Sequence, residues 1–86
     1  MKIIISPHAA NLADSRGTTK KEILEVLMSG LPIAAKYKRS GKGKVFPLSG
    51  KRLGRFYDQK RVEVFSAEEG NDILIITVHV FYGKWE

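Results

Sequence analysis

The C-terminal run from Ile73 to Tyr82 constrains the fold most, because it is rich in β-branched and aromatic residues and alternates with a period of two. One face of this predicted strand is almost wholly apolar and consists of Leu74, Ile76, Val78, Val80 and Tyr82. The other face carries a hydroxyl and an imidazole and consists of Ile73, Ile75, Thr77, His79 and Phe81. We therefore predict a long strand that covers helices with its first face and leaves its second face partly open.

A first helix is predicted near the N-terminus. Ser6-Pro7 follows a short β-rich run from Lys2 to Ile5, and it supplies an N-cap serine and a proline at the first helical position. The helix should therefore run from Pro7 to about Ser15. Arg16-Gly17 provides a basic last turn and a C-terminal glycine.

A second helix is predicted by a capping box, in which Thr19 is followed three residues later by Glu22. This helix begins near Lys20, and its apolar residues follow helical spacing. Gly30 and Pro32 end it.

Short β segments are predicted for the rest of the chain, at Ile33 to Lys38, Val45 to Leu48, Leu53 to Tyr57, Arg61 to Phe65 and Ile73 to Tyr82. With a turn at residues 58–60, Phe56 would face Val62 across a hairpin. Arg55 would then lie opposite Glu63 on the other face. The sequence thus predicts a single α+β domain, residues 1–86, in the order β-α-α-β-β-β-β. Both helices should pack on one side of a mostly antiparallel sheet.

The composition excludes several classes of protein. The chain has 86 residues, no cysteine and two histidines. Cysteine-based disulfides and metal sites are therefore absent, and two histidines are a poor ligand set, so we expect neither a metal nor another cofactor. The apolar run that follows Met1 is too short for a signal peptide, and no run reaches the length of a membrane span. These features favour a soluble cytoplasmic protein that does not bind membranes.

The net charge of +6 is unevenly distributed. The stretch from Lys36 to Arg61 holds ten basic residues and one acid, Asp58, whereas the remainder has five basic and eight acidic residues. Such segregation predicts a positive surface that binds a polyanion, and RNA is the polyanion we favour. The alternative is a solvated segment kept soluble by its lysines.

The predicted RNA contacts are Lys36, Tyr37, Lys38, Arg39, Lys42, Lys44, Lys51 and Arg52. In residues 36–44 the cations can bind phosphates, two glycines allow close backbone approach, and Tyr37 offers a stacking surface. Neither Gly41-Lys42 nor Gly50-Lys51 fits a phosphate-binding P-loop, so nucleotide hydrolysis is not predicted. The structural alternatives are a mobile basic hairpin and, for Tyr37, a half-buried position in a strand.

Cleavage of RNA by internal attack needs a base for the 2′-hydroxyl, positive charge at the phosphate and an acid for the leaving oxygen. The candidate catalytic residues are His8, Arg16, Arg55, Arg61 and His79. His8 lies at the start of the first helix, where the positive end of the dipole favours a neutral imidazole that can act as a base. The alternatives are a helix-capping His8, a structural strand histidine at position 79 and a simple Arg55–Glu63 ion pair.

Short motifs open the chain at His8-Ala9, Arg16-Gly17, Thr19, Glu22-Ile23 and Val26-Leu27. Tyr57 and the runs 62–64 and 76–78 follow in the later strands. Together these residues resemble the pattern of an uncharacterised family of small prokaryotic domains. Where many members of that family have a further arginine after the His-Ala pair, this chain has Leu12.

That family is similar to the RelE/ParE and BrnT-type toxins, which pack helices against one face of a small antiparallel sheet. RelE-like and BrnT-like members are ribosome-dependent or free ribonucleases that a cognate antitoxin neutralises, whereas ParE-like members act on gyrase. The resemblance implies a toxin. By matching position it carries over His8 and Arg16, with no established catalytic role attached.

The preferred prediction is a metal-independent endoribonuclease of the toxin type. Its partners would be RNA, including ribosome-bound mRNA, and a small acidic antitoxin. His8 and His79 are the candidates for proton transfer. The candidates for stabilising the phosphate are Arg16, Arg55 and Arg61. Two alternatives stay open: a non-catalytic nucleic-acid-binding module, and a protein-interaction domain whose basic strip meets an acidic partner.

Overall fold

The computed structural model describes residues 1–85, apart from the side chain at position 49, and it confirms the α+β class. Its elements in chain order are β1 (Ile3–Ile5), α1 (Pro7–Arg16), α2 (Lys20–Ser29), β2 (Leu31–Ile33), β3 (Ser40–Arg52), β4 (Arg55–Glu69) and β5 (Asp72–Gly83). Each helix has ten residues. Within the described residues no helix is long and apolar enough to cross a membrane.

The strands form one mixed sheet in the order β1-β5-β4-β3-β2. β1 runs parallel to β5, whereas the β2–β3, β3–β4 and β4–β5 pairs are antiparallel. β1 pairs with only three residues of β5, Ile73 to Ile75. Within residues 1–85, the rest of β5 therefore forms an edge with no neighbouring strand on that side.

Both helices begin at the predicted caps. The Ser6 hydroxyl caps α1, and Gly17 ends it in the left-handed conformation with φ of 88°. At α2, the Thr19 hydroxyl accepts a hydrogen bond from the Glu22 N–H at 3.2 Å. The Glu22 carboxylate binds the Lys60 ammonium at 2.7 Å and so links α2 to the sheet.

The hairpin that joins β3 to β4 differs from the prediction. Its turn lies at Leu53-Gly54, where both residues have positive φ, 52° and 80°, as a tight two-residue hairpin loop requires. β4 runs without interruption through residues 58–60, so the turn predicted there is wrong. The strand continues because Lys60 is buried on the helix side, where its ammonium binds the Gly17 carbonyl and the Glu22 carboxylate.

This change of turn also changes the pairing of Arg55. Arg55 pairs with Arg52 across the hairpin, whereas Glu63 pairs with Gly43 on one side and His79 on the other. The predicted Arg55–Glu63 pair is therefore wrong.

The core lies between the two helices and the inner face of the sheet. Its buried apolar residues are Ala9, Ala13, Ile23, Val26, Phe46, Val62, Val64, Ile75 and Val78. Every element except β1 and β2 contributes to this set, so the helices and the three long strands are held together by one apolar layer.

A β-bulge at Ile76 changes the face of β5 in mid-strand. The register with β4 shifts by one residue there, and Ile75 and Val78 are both fully buried although they stand three positions apart. The predicted inner face is thus right from Val78 onward. It is wrong before the bulge, where Ile75 rather than Leu74 belongs to the core.

Candidate functional site

The face of the sheet away from the helices, called the open face below, collects polar and aromatic side chains. The alternation of β4 sends Val62 and Val64 into the core. Its remaining central residues lie on the open face: Arg61, Glu63 and Phe65. β5 contributes their partners in register: Phe81, His79 and Thr77. Two neighbouring strands thus bring a guanidinium, a carboxylate, an imidazole and two phenyl rings together.

Arg61, Glu63 and His79 form a charged row, called the Arg61–Glu63–His79 cluster. The Arg61 Nε–H donates to Glu63 Oε2 at 3.0 Å, and His79 Nδ1 lies 3.9 Å from Glu63 Oε1. The Glu63 side chain is only 19% exposed, while that of His79 is 44% exposed. The carboxylate is therefore held between a cation and an imidazole that a ligand can reach.

Two glycines of β3 make room for this cluster. A Cβ at Gly43 would lie 2.9 Å from a terminal nitrogen of Arg61, and a Cβ at Gly41 would lie 3.0 Å from the ring of Phe65. The absence of side chains at these positions leaves room for Arg61 and Phe65 beside β3. The glycines were predicted to admit an RNA backbone, but the space beside them is occupied by the chain's own side chains.

Aromatic rings flank His79 on both sides. Its ring centroid lies 5.3 Å from that of Phe65 and 6.2 Å from that of Phe81, which packs edge-on. Phe81 is exposed. A ring exposed on a sheet beside cations can stack on an unpaired base.

The β2–β3 loop, residues 34–39, reaches the open face. The strand predicted from Ile33 to Lys38 is wrong, because β2 ends at Ile33. Tyr37 therefore belongs to this loop, and it is 85% exposed. Lys36, Tyr37 and Arg39 line a depression of about 220 Å³ together with Phe65, Thr77 and His79. The first part of the predicted basic segment thus lies beside the imidazole.

Three other cations of the basic segment lie on the helix side and bind the ends of the helices: Lys42, Lys44 and Arg52. Lys42 donates to the Leu27 carbonyl at 2.7 Å, and Lys44 binds Ser29 and Glu25 at the end of α2. The last carbonyls of a helix lack intrahelical partners and carry the negative end of its dipole, so ammonium groups stabilise them.

Arg52 acts in the same way at α1, where it donates to the Ser15 carbonyl and lies over the Tyr82 ring. The prediction that Lys42, Lys44 and Arg52 contact RNA therefore conflicts with the positions of their charges. A strand alternates its faces, and these residues fall on the face that covers the helices.

Arg16 reaches the candidate site from the edge of β5. Its Nη1 donates to the Val78 carbonyl at 2.8 Å on the unpaired edge, and it lines a second depression together with His79, Val80 and Phe81. The hydrogen bond to Val78 uses one of the five N–H groups of the guanidinium. The other N–H groups can donate to an anionic ligand near His79.

Two of the predicted catalytic residues are not placed with the cluster. His8 is exposed in the first turn of α1, which packs against the face opposite to His79. Arg55 lies at the β3–β4 turn with its guanidinium 6.0 Å from the Tyr57 ring, and Lys51 lies nearby over the exposed ring of Phe56. The turn thus forms a separate basic and aromatic surface.

The alternation of β4 predicted the face of Glu63 correctly, but the partner predicted for it was wrong. It was expected to pair with Arg55, whereas the register of β4 and β5 pairs it with His79. The spacing of Gly41 and Gly43 was the available signal for an occupied surface on β3. Within residues 1–85 no group of three or more His, Asp or Glu side chains is placed to hold a metal ion.

A scan of known protein families, a search of curated proteins and a search of solved structures each give no match to this chain.

Proposed function

We propose that this protein is a metal-independent endoribonuclease of the toxin type, with its active site on the open face. The observation that carries the proposal is the Arg61–Glu63–His79 cluster, in which a carboxylate and an accessible imidazole lie 3.9 Å apart beside a guanidinium. A proton acceptor, a proton donor and a fixed positive charge are the three groups that internal cleavage of RNA uses.

In the proposed reaction Glu63 accepts the proton of the 2′-hydroxyl, and the O2′–P bond forms. The imidazolium of His79 donates its proton to the 5′-oxygen as the P–O5′ bond breaks. Arg61 stabilises the negative charge that builds up on the phosphate oxygens, with Arg16 as a second candidate at the edge of β5. The products are a 2′,3′-cyclic phosphate and a 5′-hydroxyl, and no electrons are transferred.

The toxin assignment is supported by the small basic α+β domain and by the N-terminal motifs that contain His8 and Arg16. We propose a RelE-like arrangement, in which the open face receives the RNA and the helices support the sheet. A small acidic antitoxin would neutralise such a protein by covering the same cations, since an acidic segment complements the basic open face.

The test is incubation of the purified protein with RNA in the presence of EDTA. We expect products that end in a 2′,3′-cyclic phosphate, and no cleavage when the RNA carries 2′-O-methyl groups. Glu63→Gln and His79→Gln should each lower the rate by about 10²- to 10⁴-fold, which is the contribution of a general acid or base.

His8→Gln is the matched control, because it removes the other histidine of the chain and should leave the rate unchanged. RNA binding without cleavage by the wild-type protein would refute the enzyme and favour the non-catalytic RNA-binding alternative. Cleavage that survives both substitutions in the cluster would place the active site elsewhere.

A further inference from the structure

We infer that the depression between the β2–β3 loop and β5 is a nucleobase site, which selects single-stranded RNA by taking one unstacked base beside the scissile phosphate. This inference rests on the proposed function and adds to it a substrate class and a specificity residue, Tyr37.

The walls of this depression have the chemistry that a nucleobase requires. Phe65 and Tyr37 supply aromatic surfaces, Thr77 supplies a hydroxyl that can donate to or accept from a base edge, and Lys36 and Arg39 supply positive charge. Aromatic rings beside cations bind single-stranded nucleic acids by stacking on the bases while the cations bind the phosphates. The occupant that fits is therefore a base with its attached phosphate.

The turn of the β2–β3 loop displays the Tyr37 side chain. Tyr37 and Lys38 both have φ of 59°, and the Arg39 N–H donates to the Lys36 carbonyl, as in a tight two-residue hairpin turn. The Tyr37 side chain is 85% exposed at this turn, so it contributes little to the core. The turn therefore presents an exposed aromatic ring beside the depression, where it can stack on a base.

The position of His79 indicates the path of the bound strand between two depressions. His79 lines this depression and also the one that contains Arg16 and Phe81. A base beside Tyr37 would therefore place its neighbouring phosphate at His79, with the next nucleotide towards Phe81. A duplex keeps its base faces stacked and cannot offer one to this site, whereas a single strand can.

The experiment measures binding of an RNA oligonucleotide that carries one 2-aminopurine and 2′-O-methyl groups throughout, so that it cannot be cleaved. We expect quenching of the 2-aminopurine fluorescence when it stacks, and a Kd that rises about 5- to 150-fold in Tyr37→Ala, the range set by the stacking of one base. Tyr37→Phe should keep the wild-type Kd. The same sequence as a duplex should bind more weakly and show no additional quenching.

Phe56→Ala is the matched control, because it removes another exposed ring, 73% accessible, at the β3–β4 turn, and it should leave Kd unchanged. An unchanged Kd in Tyr37→Ala, or equal binding of duplex and single strand, would overturn the nucleobase site. The two proposals fail separately. Tyr37-dependent binding without cleavage of unmodified RNA refutes the nuclease alone, whereas cleavage with no effect of Tyr37→Ala on Kd or KM refutes the base site alone.

Discussion

Replacing Gly43 by alanine tests the open-face site without removing any of its charges. A Cβ at this position would lie 2.9 Å from a terminal nitrogen of Arg61, and the three nearest atoms all belong to that guanidinium. The end of an arginine side chain can move, whereas a backbone neighbour could not. The substitution should therefore leave the strand in place and displace the guanidinium from the Glu63 carboxylate.

We expect a small effect on stability and a large one on activity. Alanine is more favourable than glycine inside a strand by about 0.5–1 kcal/mol. The Arg61–Glu63 ion pair is partly exposed, with side chains 30% and 19% accessible, so its loss costs at most about 1 kcal/mol. The two contributions oppose each other, and the free energy of unfolding should change by less than about 1 kcal/mol. Because a misplacement of about 1 Å in a positioning group costs roughly 100-fold in rate, cleavage should fall by about 10- to 100-fold.

Cleavage is measured in single-turnover reactions with a fluorogenic RNA, and stability by urea unfolding of the same samples. Gly50→Ala is the control, because nothing lies within 4 Å of a Cβ at that position, and it should retain full activity. Undiminished cleavage by folded Gly43→Ala would show that the position of Arg61 does not matter for the reaction, and it would rule out the proposed role of Arg61 at the phosphate. A stability loss well above 1 kcal/mol would show instead that the glycine serves backbone packing.

Three further substitutions test other assignments. Lys60→Met should lower the free energy of unfolding in urea by about 3 kcal/mol, because the mostly buried Glu22 carboxylate loses its partner. A loss below about 1 kcal/mol would contradict a structural role for Lys60. Leu53→Asn should raise the free energy of unfolding by about 1 kcal/mol, since asparagine tolerates positive φ better than leucine. A less stable variant would rule out a turn at Leu53-Gly54. Lys36→Gln should reduce the slope of log Kd for single-stranded RNA against log salt concentration by about 0.7. Lys42→Gln should leave this slope unchanged, because Lys42 binds the Leu27 carbonyl. Equal slopes for the two variants would mean that both lysines face the RNA.

The helices could be predicted because their signals are local. The Ser6 and Thr19 caps act on N–H groups three residues away, so they are visible in a short window of sequence. The β3–β4 turn could not be predicted in this way, because leucine is unfavourable at the positive φ that Leu53 adopts. The polar triplet at residues 58–60 looked more like a turn, but Lys60 is held in the strand by a carboxylate 38 residues away.

The position of His79 was predicted from alternation, and its carboxylate partner was not. His79 follows the bulge at Ile76, and the alternation from Val78 onward agrees with the prediction. Glu63 was assigned to Arg55 because a misplaced turn changes the register of the whole hairpin. A side chain's face can thus be predicted from one strand, but its neighbour depends on the register between two.

The segment Gly41-Lys42-Gly43-Lys44 shows how a strand divides one motif between two surfaces. As a loop, it would offer its lysines to phosphates and its glycines to an approaching backbone. As part of β3 it alternates, so Lys42 and Lys44 bind the end of α2, while the glycines lie under Arg61 and Phe65.

The segment therefore contributes to both faces of the sheet in different ways. Its glycines provide the space in which the open-face side chains lie, and its lysines stabilise the fold from the opposite face. In the proposed function, the charge nearest to His79 comes from the β2–β3 loop and from Arg61, which lie on the same side of the sheet. Because the cations that would hold the phosphate and the groups that would cleave it share one face, a bound strand needs no rearrangement of the sheet to bring its phosphate to the imidazole.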